Sequence, residues 1–261
     1  MRRLTKDDRL GLWLLLGCAL FLGLGAATAG VIRVREPRRD PSTLCVVGRP
    51  VSGETIVLID CTDPLTADQV QAVSNRLRQI EATELSANAR VSLWVLGESD
   101  EGQLRRLFCR CHPGRQANPI IQNPRFVAAA CESLFATPLG DALRRAPMGG
   151  SAARSPILEA LCTLSRTELV AAEPPRRLIL ISDLLQNSRA LSFYSMTPGF
   201  EGFRSAPRFK RLLPDLGGVE VEVLRIPRTG EDLEAELPLL AFWEALFEAA
   251  GARTVRIGRL T

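Results

Sequence analysis

Two apolar patterns alternate along the chain. One is a short unbroken run of β-branched and aliphatic residues; the other is a longer stretch in which apolar positions return every three or four residues. The first run, Thr55-Ile56-Val57-Leu58-Ile59, ends abruptly on Asp60-Cys61-Thr62-Asp63-Pro64. It predicts a strand buried on both faces that delivers a polar loop. A helix follows from Thr66, with a hydroxyl N-cap, an acidic first turn, and Val70, Val73, Leu77, Ile80 and Leu85 on one face. Arg90–Leu96 and Leu104–Cys111 read as further strands, joined by a connection so short that they must pair antiparallel. Residues 124 to 143 read as a helix with Phe126, Cys131, Leu134 and Phe135 inward and Pro138 interrupting the pattern. A third helix starts at Ser155 and runs through Leu158, Leu161, Leu164 and Val170 until Pro174-Pro175 stops it. Arg177-Leu178-Ile179-Leu180-Ile181-Ser182-Asp183 repeats the opening motif, an apolar strand finishing on an Asp. Val219–Ile226 alternates like a half-exposed strand, residues 231 to 250 are helical, and Thr254–Ile257 makes a last strand.

Strands and helices taking turns in this way require a largely parallel, doubly wound α/β sheet with helices on both faces. In such sheets ligands gather at the carboxyl ends of the strands. Asp60 and Asp183 are therefore expected at one edge. Between them in sequence, Gly149-Gly150-Ser151 and Ser155-Pro156 supply a glycine-rich loop and a hydroxyl at a helix start.

These residues resemble the von Willebrand factor type A domain and its metal-ion-dependent adhesion site. Asp60 stands for the first Asp of that motif, Thr62 for its first Ser, Ser155 for its Thr and Asp183 for its last Asp; Pro64 falls on the second Ser and departs from the pattern. The resemblance covers nearly all of the chain beyond residue 54. It implies six strands in the order 3-2-1-4-5-6, with an antiparallel third strand at the edge. It also implies a protein partner docked at the carboxyl edge, with Mg²⁺ held by Asp60, Thr62, Ser155 and Asp183. Such a hard cation takes oxygen ligands. The proline side chain offers none, so Thr66, Asp63 or a water must replace the missing ligand or the metal binds weakly or not at all. The rival role for these aspartates is to accept backbone N–H groups and close their loops.

The alternative function is a metal-dependent hydrolase using the Asp60/Asp183 cluster. It lacks support: Thr62 stands where a second catalytic carboxylate would be needed, and the chain has no P-loop, Gly-x-Ser-x-Gly or His-Glu-x-x-His motif. The segment after Asp183 interleaves Phe193, Tyr194, Phe200, Phe203 and Phe209 with arginines and a lysine. Its rings either pack on the domain or, beside the strand end, join Asp63 in contacting a partner; Phe193, Tyr194 and Phe203 are the candidates.

The N-terminus changes the picture of compartment. After a short tail, residues 1–9, no charge occurs from Leu10 to Ile32, about the 20 apolar residues that cross a bilayer. A transmembrane anchor is expected there, then a Pro- and Arg-rich linker over residues 33–53 and the domain over 54–261. A cleaved signal peptide is the rival reading, because Ala27-Thr28-Ala29 has the form of a cleavage site. Arginines flank both ends of the apolar run, so positive charge does not orient it. A short tail before one helix ordinarily stays in the cytoplasm, which puts the domain in the periplasm or outside.

An oxidising compartment agrees with the cysteines. Cys61 and Cys162 read as buried thiols, while Cys45, Cys109, Cys111 and Cys131 are disulfide candidates, with Cys131 expected to pair with Cys109 or Cys111. Zinc on Cys109, Cys111, His112 and Cys131 is the alternative use. Of 33 basic and 29 acidic residues, the part beyond residue 35 keeps equal numbers of each. That balance argues against nucleic acid as a partner.

Overall fold

The structure, a computed structural model, describes residues 11, 13–25, 37–97, 103–118, 122–146, 152–169, 175–194, 197–228 and 233–260. The chain divides into two compact units, Met1–Arg39 and Asp40–Thr261. The first contains an apolar helix, α1 (Trp13–Gly25), with Trp13, Leu15, Leu20 and Phe21 exposed. The rest of the expected anchor, and Ala27-Thr28-Ala29, lie outside the described residues.

The second unit is built on a six-stranded sheet in the order β3-β2-β1-β4-β5-β6. Its strands are β1 (Glu54–Asp60), β2 (Arg90–Leu96), β3 (Leu104–Cys111), β4 (Arg176–Ser182), β5 (Glu220–Arg225) and β6 (Thr254–Arg259). All neighbours pair parallel except β2 with β3. This is the order that the von Willebrand factor type A resemblance implies. The central run Ile56–Ile59 is fully buried because side chains alternate between faces that are both covered. Ile56 and Leu58 join Leu178, Leu180, Val221 and Val223 in one core, while Val57 and Ile59 join Leu93, Val95, Ile179 and Ile181 in another.

Helices close both faces. The first core is covered by α5 (Ile157–Thr167), the short turns α6 (Phe200–Arg204) and α7 (Phe209–Leu212), and α8 (Leu233–Ala249). The second lies under α2 (Ala67–Thr83) and the run of α3 (Pro124–Cys131), a π turn (Glu132–Ala136) and α4 (Thr137–Arg144). Proline does not end that run: Pro138 sits in the first turn of α4, where its missing N–H costs least. The wide turn rotates the inward face, so Cys131 and Phe135 are buried as expected, but Phe126 is 75% and Leu134 46% exposed. Residues Pro124–Arg144 are also long and apolar enough to cross a membrane. Here, however, Phe135, Leu139 and Leu143 pack on the sheet.

Three expectations need correction. Helix α5 begins at Ile157, with Pro156 as its N-cap and Ser155 preceding it. The aromatic segment turns inward: Phe193 and Phe203 are 4% and 1% exposed, stacked edge-on against Phe242 and Trp243 of α8 or the neighbouring rings. They are core residues, so of the three aromatic contact candidates Tyr194 alone is exposed. The disulfide is Cys45–Cys111, leaving Cys109 and Cys131 free. The four-residue zinc set fails with it, because Cys111 is already bonded.

The bridge also shortens the expected linker. Residues from Asp40 onward are part of the domain: Asp40 caps a turn through Ser42 and Thr43, Leu44 and Val46 are buried, and the Val46 N–H donates to Asn88 Oδ1 at 2.8 Å. Cys61 and Cys162 are buried free thiols, in agreement with their apolar neighbours in sequence.

Candidate functional site at the carboxyl edge

Parallel strands β1, β4 and β5 all end at the same edge, and each passes directly into a polar loop. From β1 comes Asp60, 5% exposed, whose carboxylate is saturated from within the fold. Its Oδ1 accepts the Thr62 N–H at 3.1 Å and the Thr62 hydroxyl at 2.6 Å. Its Oδ2 accepts the Ser155 hydroxyl at 2.8 Å and the Ser182 hydroxyl at 2.9 Å. Asp60, Thr62 and Ser155 thus come together as the motif predicts. Ser182, the last residue of β4, completes the set; sequence alone does not single it out, because a serine inside an apolar run reads as strand. The loop is tied down further where the Ala152 N–H donates to the Thr62 carbonyl at 2.8 Å.

Asp183 follows on β4. Its Oδ1 accepts the Leu185 N–H at 2.9 Å, and its Oδ2 accepts Arg228 Nε at 2.6 Å. Burial and the nearby Asp60 charge push this carboxyl above the usual carboxylate range, while the Leu185 N–H and Arg228 pull it back. The next residue, Leu184, has φ 68, and its carbonyl accepts the indole N–H of Trp243 at 2.9 Å. A non-glycine residue in the left-handed region costs energy that the surrounding structure must offset. Trp243, fully buried, helps to hold it there.

Arg228, carried by the loop after β5, is a site residue that sequence reasoning misses. Its guanidinium reaches Asp183, Asp63 and the Tyr194 hydroxyl, the last at 3.2 Å, and sits 5.5 Å from the Tyr194 ring centroid. Burial alone would lower its pKa; Asp183, Tyr194 and Asp63 more than reverse that, so it stays charged. A signal for it exists: if β5 lies beside β4, whatever follows Ile226-Pro227 must land next to Asp183. Between these loops is a cleft of about 340 Å³ lined by Asp60, Thr62, Asp63, Asp183, Pro227 and Arg228 together with Pro64, Leu65, Thr66, Gln69 and Ile226.

Mg²⁺ does not fit this arrangement. Pro64 brings no side-chain oxygen, and the residues expected to replace it are engaged: Thr66 Oγ1 accepts the Gln69 N–H at 3.2 Å as the cap of α2, and Asp63 holds Arg228. Asp183 directs its second oxygen at the same guanidinium. A cation is already part of the chain.

No family model matches the sequence, and no curated protein matches it. Among solved structures, a von Willebrand factor type A protein from Catenulispora acidiphila is similar at 16% identity and TM-score 0.45, over 81% of this chain and 39% of that one. An aerotolerance-related membrane protein from Bacteroides fragilis is similar at 14% identity and TM-score 0.36, over 80% and 92%. The conserved hypothetical protein BatB from Bacteroides thetaiotaomicron is similar at 15% identity and TM-score 0.35, over 81% and 92%. The chain spans about two fifths of the first of these. The fold class rests on the strand order and connectivity themselves.

Proposed function

We propose that the chain is a membrane-anchored binding or assembly module. It docks a protein partner at the carboxyl edge of the sheet, with Arg228 in the place of a metal ion. The observation that carries this reading is the cleft bordered by Arg228, Asp63 and Asp183 beside exposed Tyr194. Three carboxylates, those of Asp60, Asp63 and Asp183, line the cleft with one guanidinium, so its lining carries a surplus of acidic groups. Leu65, Ile226 and Pro227 give it an apolar wall. A basic side chain from the partner suits both features, its aliphatic stem on the wall and its charge on Asp63.

The thiol at this edge lends hydrolysis no support. Burial, followed by the Asp60 charge, pushes the Cys61 thiol up to about 12, which keeps it protonated and inert. The histidine of the chain lies elsewhere: β3 runs antiparallel, with Cys111 opposite Arg90, so His112 belongs to the amino edge.

The test uses full-length protein in mild detergent, with crosslinking to native partners compared between wild type and Asp63→Lys. Capture should persist in EDTA and fall at least tenfold in the variant, and Mg²⁺ should give no saturable heat in calorimetry. EDTA-sensitive capture restored by Mg²⁺ would sink the metal-free reading. Capture indifferent to Asp63→Lys would move the docking surface elsewhere, and metal-dependent phosphatase turnover lost in Asp60→Ala would replace binding by catalysis.

For the anchor, support comes from the uncharged run of residues 10–32 and the exposed apolar side chains of α1. Alkaline carbonate extraction should leave the protein in the membrane pellet. Release into the supernatant, or a mature chain beginning near Gly30, would refute it. The proposed address of the domain is periplasmic or otherwise extracytoplasmic, in keeping with the Cys45–Cys111 bridge.

A further inference from the structure

At the opposite edge of the sheet, three chemically different ligand groups converge. Glu81 comes from the end of α2, His112 follows β3, and Cys131 closes α3 where the helix widens into its π turn. They are 3%, 1% and 0% exposed. Glu81 Oε1 lies 3.0 Å from His112 Nε2 and 3.2 Å from Cys131 Sγ, and the sulfur lies 3.3 Å from Nε2. Three donor atoms of type O, N and S therefore form a nearly equilateral triangle inside the protein.

We propose that Glu81, His112 and Cys131 bind one divalent transition metal ion of the zinc class. Tetrahedral zinc with bonds of about 2.0–2.3 Å sets its ligand atoms roughly 3.3–3.7 Å apart. Shifts of a few tenths of an ångström would admit the ion. The donor set also suits the metal: a thiolate, an imidazole and a carboxylate select zinc or its neighbours over Mg²⁺.

One feature of the network points the same way. Without an ion and with the His112 proton on Nε2, Glu81 Oε1 faces three donors at once: His112, the Cys131 thiol, and Arg115 Nε at 2.8 Å. A carboxylate oxygen has about two lone-pair sites. Metal binding would relieve the crowding by releasing the thiol proton to solvent and moving the imidazole proton from Nε2 to Nδ1, turning both the sulfur and Nε2 from donors to ligands. Thiolate and carboxylate together offset a dication, and the Arg115 charge faces Glu132 at 3.8 Å. Arg115 would keep its hold on the other oxygen, Oε2, at 2.6 Å and orient the carboxylate. His112 Nδ1 is buried with no hydrogen-bond partner among the described residues. A ligating imidazole loses affinity without such support, by about 10–100-fold. Three protein ligands leave the fourth position to water, and Arg115, paired with Glu81, is 36% exposed.

The site differs from the four-residue set that sequence spacing offers, for Cys111 is committed to Cys45 and the ligand from α2 lies far away in sequence. Metal-stripped full-length protein in detergent should take up one equivalent of Co²⁺. The expected spectrum has tetrahedral d–d absorption and a sulfur-to-cobalt charge-transfer band, and Zn²⁺ should displace the cobalt. Cys131→Ser should abolish the sulfur band, and His112→Gln should weaken uptake at least tenfold. Cys109→Ser should change neither. Because a buried variant can misfold, wild-type protein gives an independent reading: Zn²⁺ should raise its melting temperature. Absence of stoichiometric uptake, or a cobalt spectrum without sulfur character in wild type, would overturn the proposal.

Discussion

Replacing both Cys45 and Cys111 by alanine is expected to destabilise the domain by about 4 kcal/mol, the figure that loop-closure entropy gives for a bridge of this span. The two cysteines are 66 residues apart, and β1, α2, β2 and β3 all lie inside the closed loop. Losing the bridge frees that whole stretch in the unfolded chain. The double replacement avoids leaving a lone thiol, and the native contacts around it persist in part, since the Cys111 N–H donates to the Thr43 carbonyl at 2.7 Å. Urea titration of oxidised and variant protein should show the midpoint falling by about 1–2 M for a slope of ~2–3 kcal/mol/M. A change below about 1 kcal/mol would mean that the backbone contacts of residues 40–50, not the covalent link, hold this region.

Asp60→Ala should have an effect of similar size by a different route. The substitution strips the acceptor from the Thr62, Ser155 and Ser182 hydroxyls and from the Thr62 N–H, all in a place that water reaches poorly. At about 1–3 kcal/mol for each buried donor left unpaired, partly relieved by rotation of the hydroxyls, a loss of about 4 kcal/mol is expected. Asp60→Asn keeps one oxygen and offers an amide that the serines can accept from, so its cost should be nearer ~1 kcal/mol. Thermal unfolding decides the ordering. If alanine and asparagine cost the same, the carboxylate is not the organiser of the loops. Partner capture should fall with the alanine variant and survive in the asparagine one.

Much of this architecture is legible in the order of residues alone. An apolar run without alternation identifies β1 and β4 as strands buried on both sides, and the short turn between β2 and β3 requires them to be antiparallel. The meeting of Asp60, Thr62 and Ser155 follows from strand-end logic plus the motif. Contacts that depend on spatial neighbours rather than spacing are hidden. Arg228 becomes a site residue only through the pairing of β5 with β4. Phe193 and Phe203 look the same in sequence whether they face a partner or α8, because the segment carrying them has no periodicity to separate inside from outside. Cys131 could have pointed to either cysteine of β3. The π turn after it sets its direction, and no local pattern announces one.

The two outermost strands, β3 and β6, carry a consequence for behaviour in bulk. An open sheet edge is a template on which a second copy can add a strand, the first step toward filaments and precipitates. Here one edge bears exposed Arg105 and Arg106, and the other bears exposed Arg256 and Arg259. Bringing two such margins together would stack guanidinium against guanidinium with no acid in register to compensate. The domain can therefore be crowded without its sheets annealing into one another.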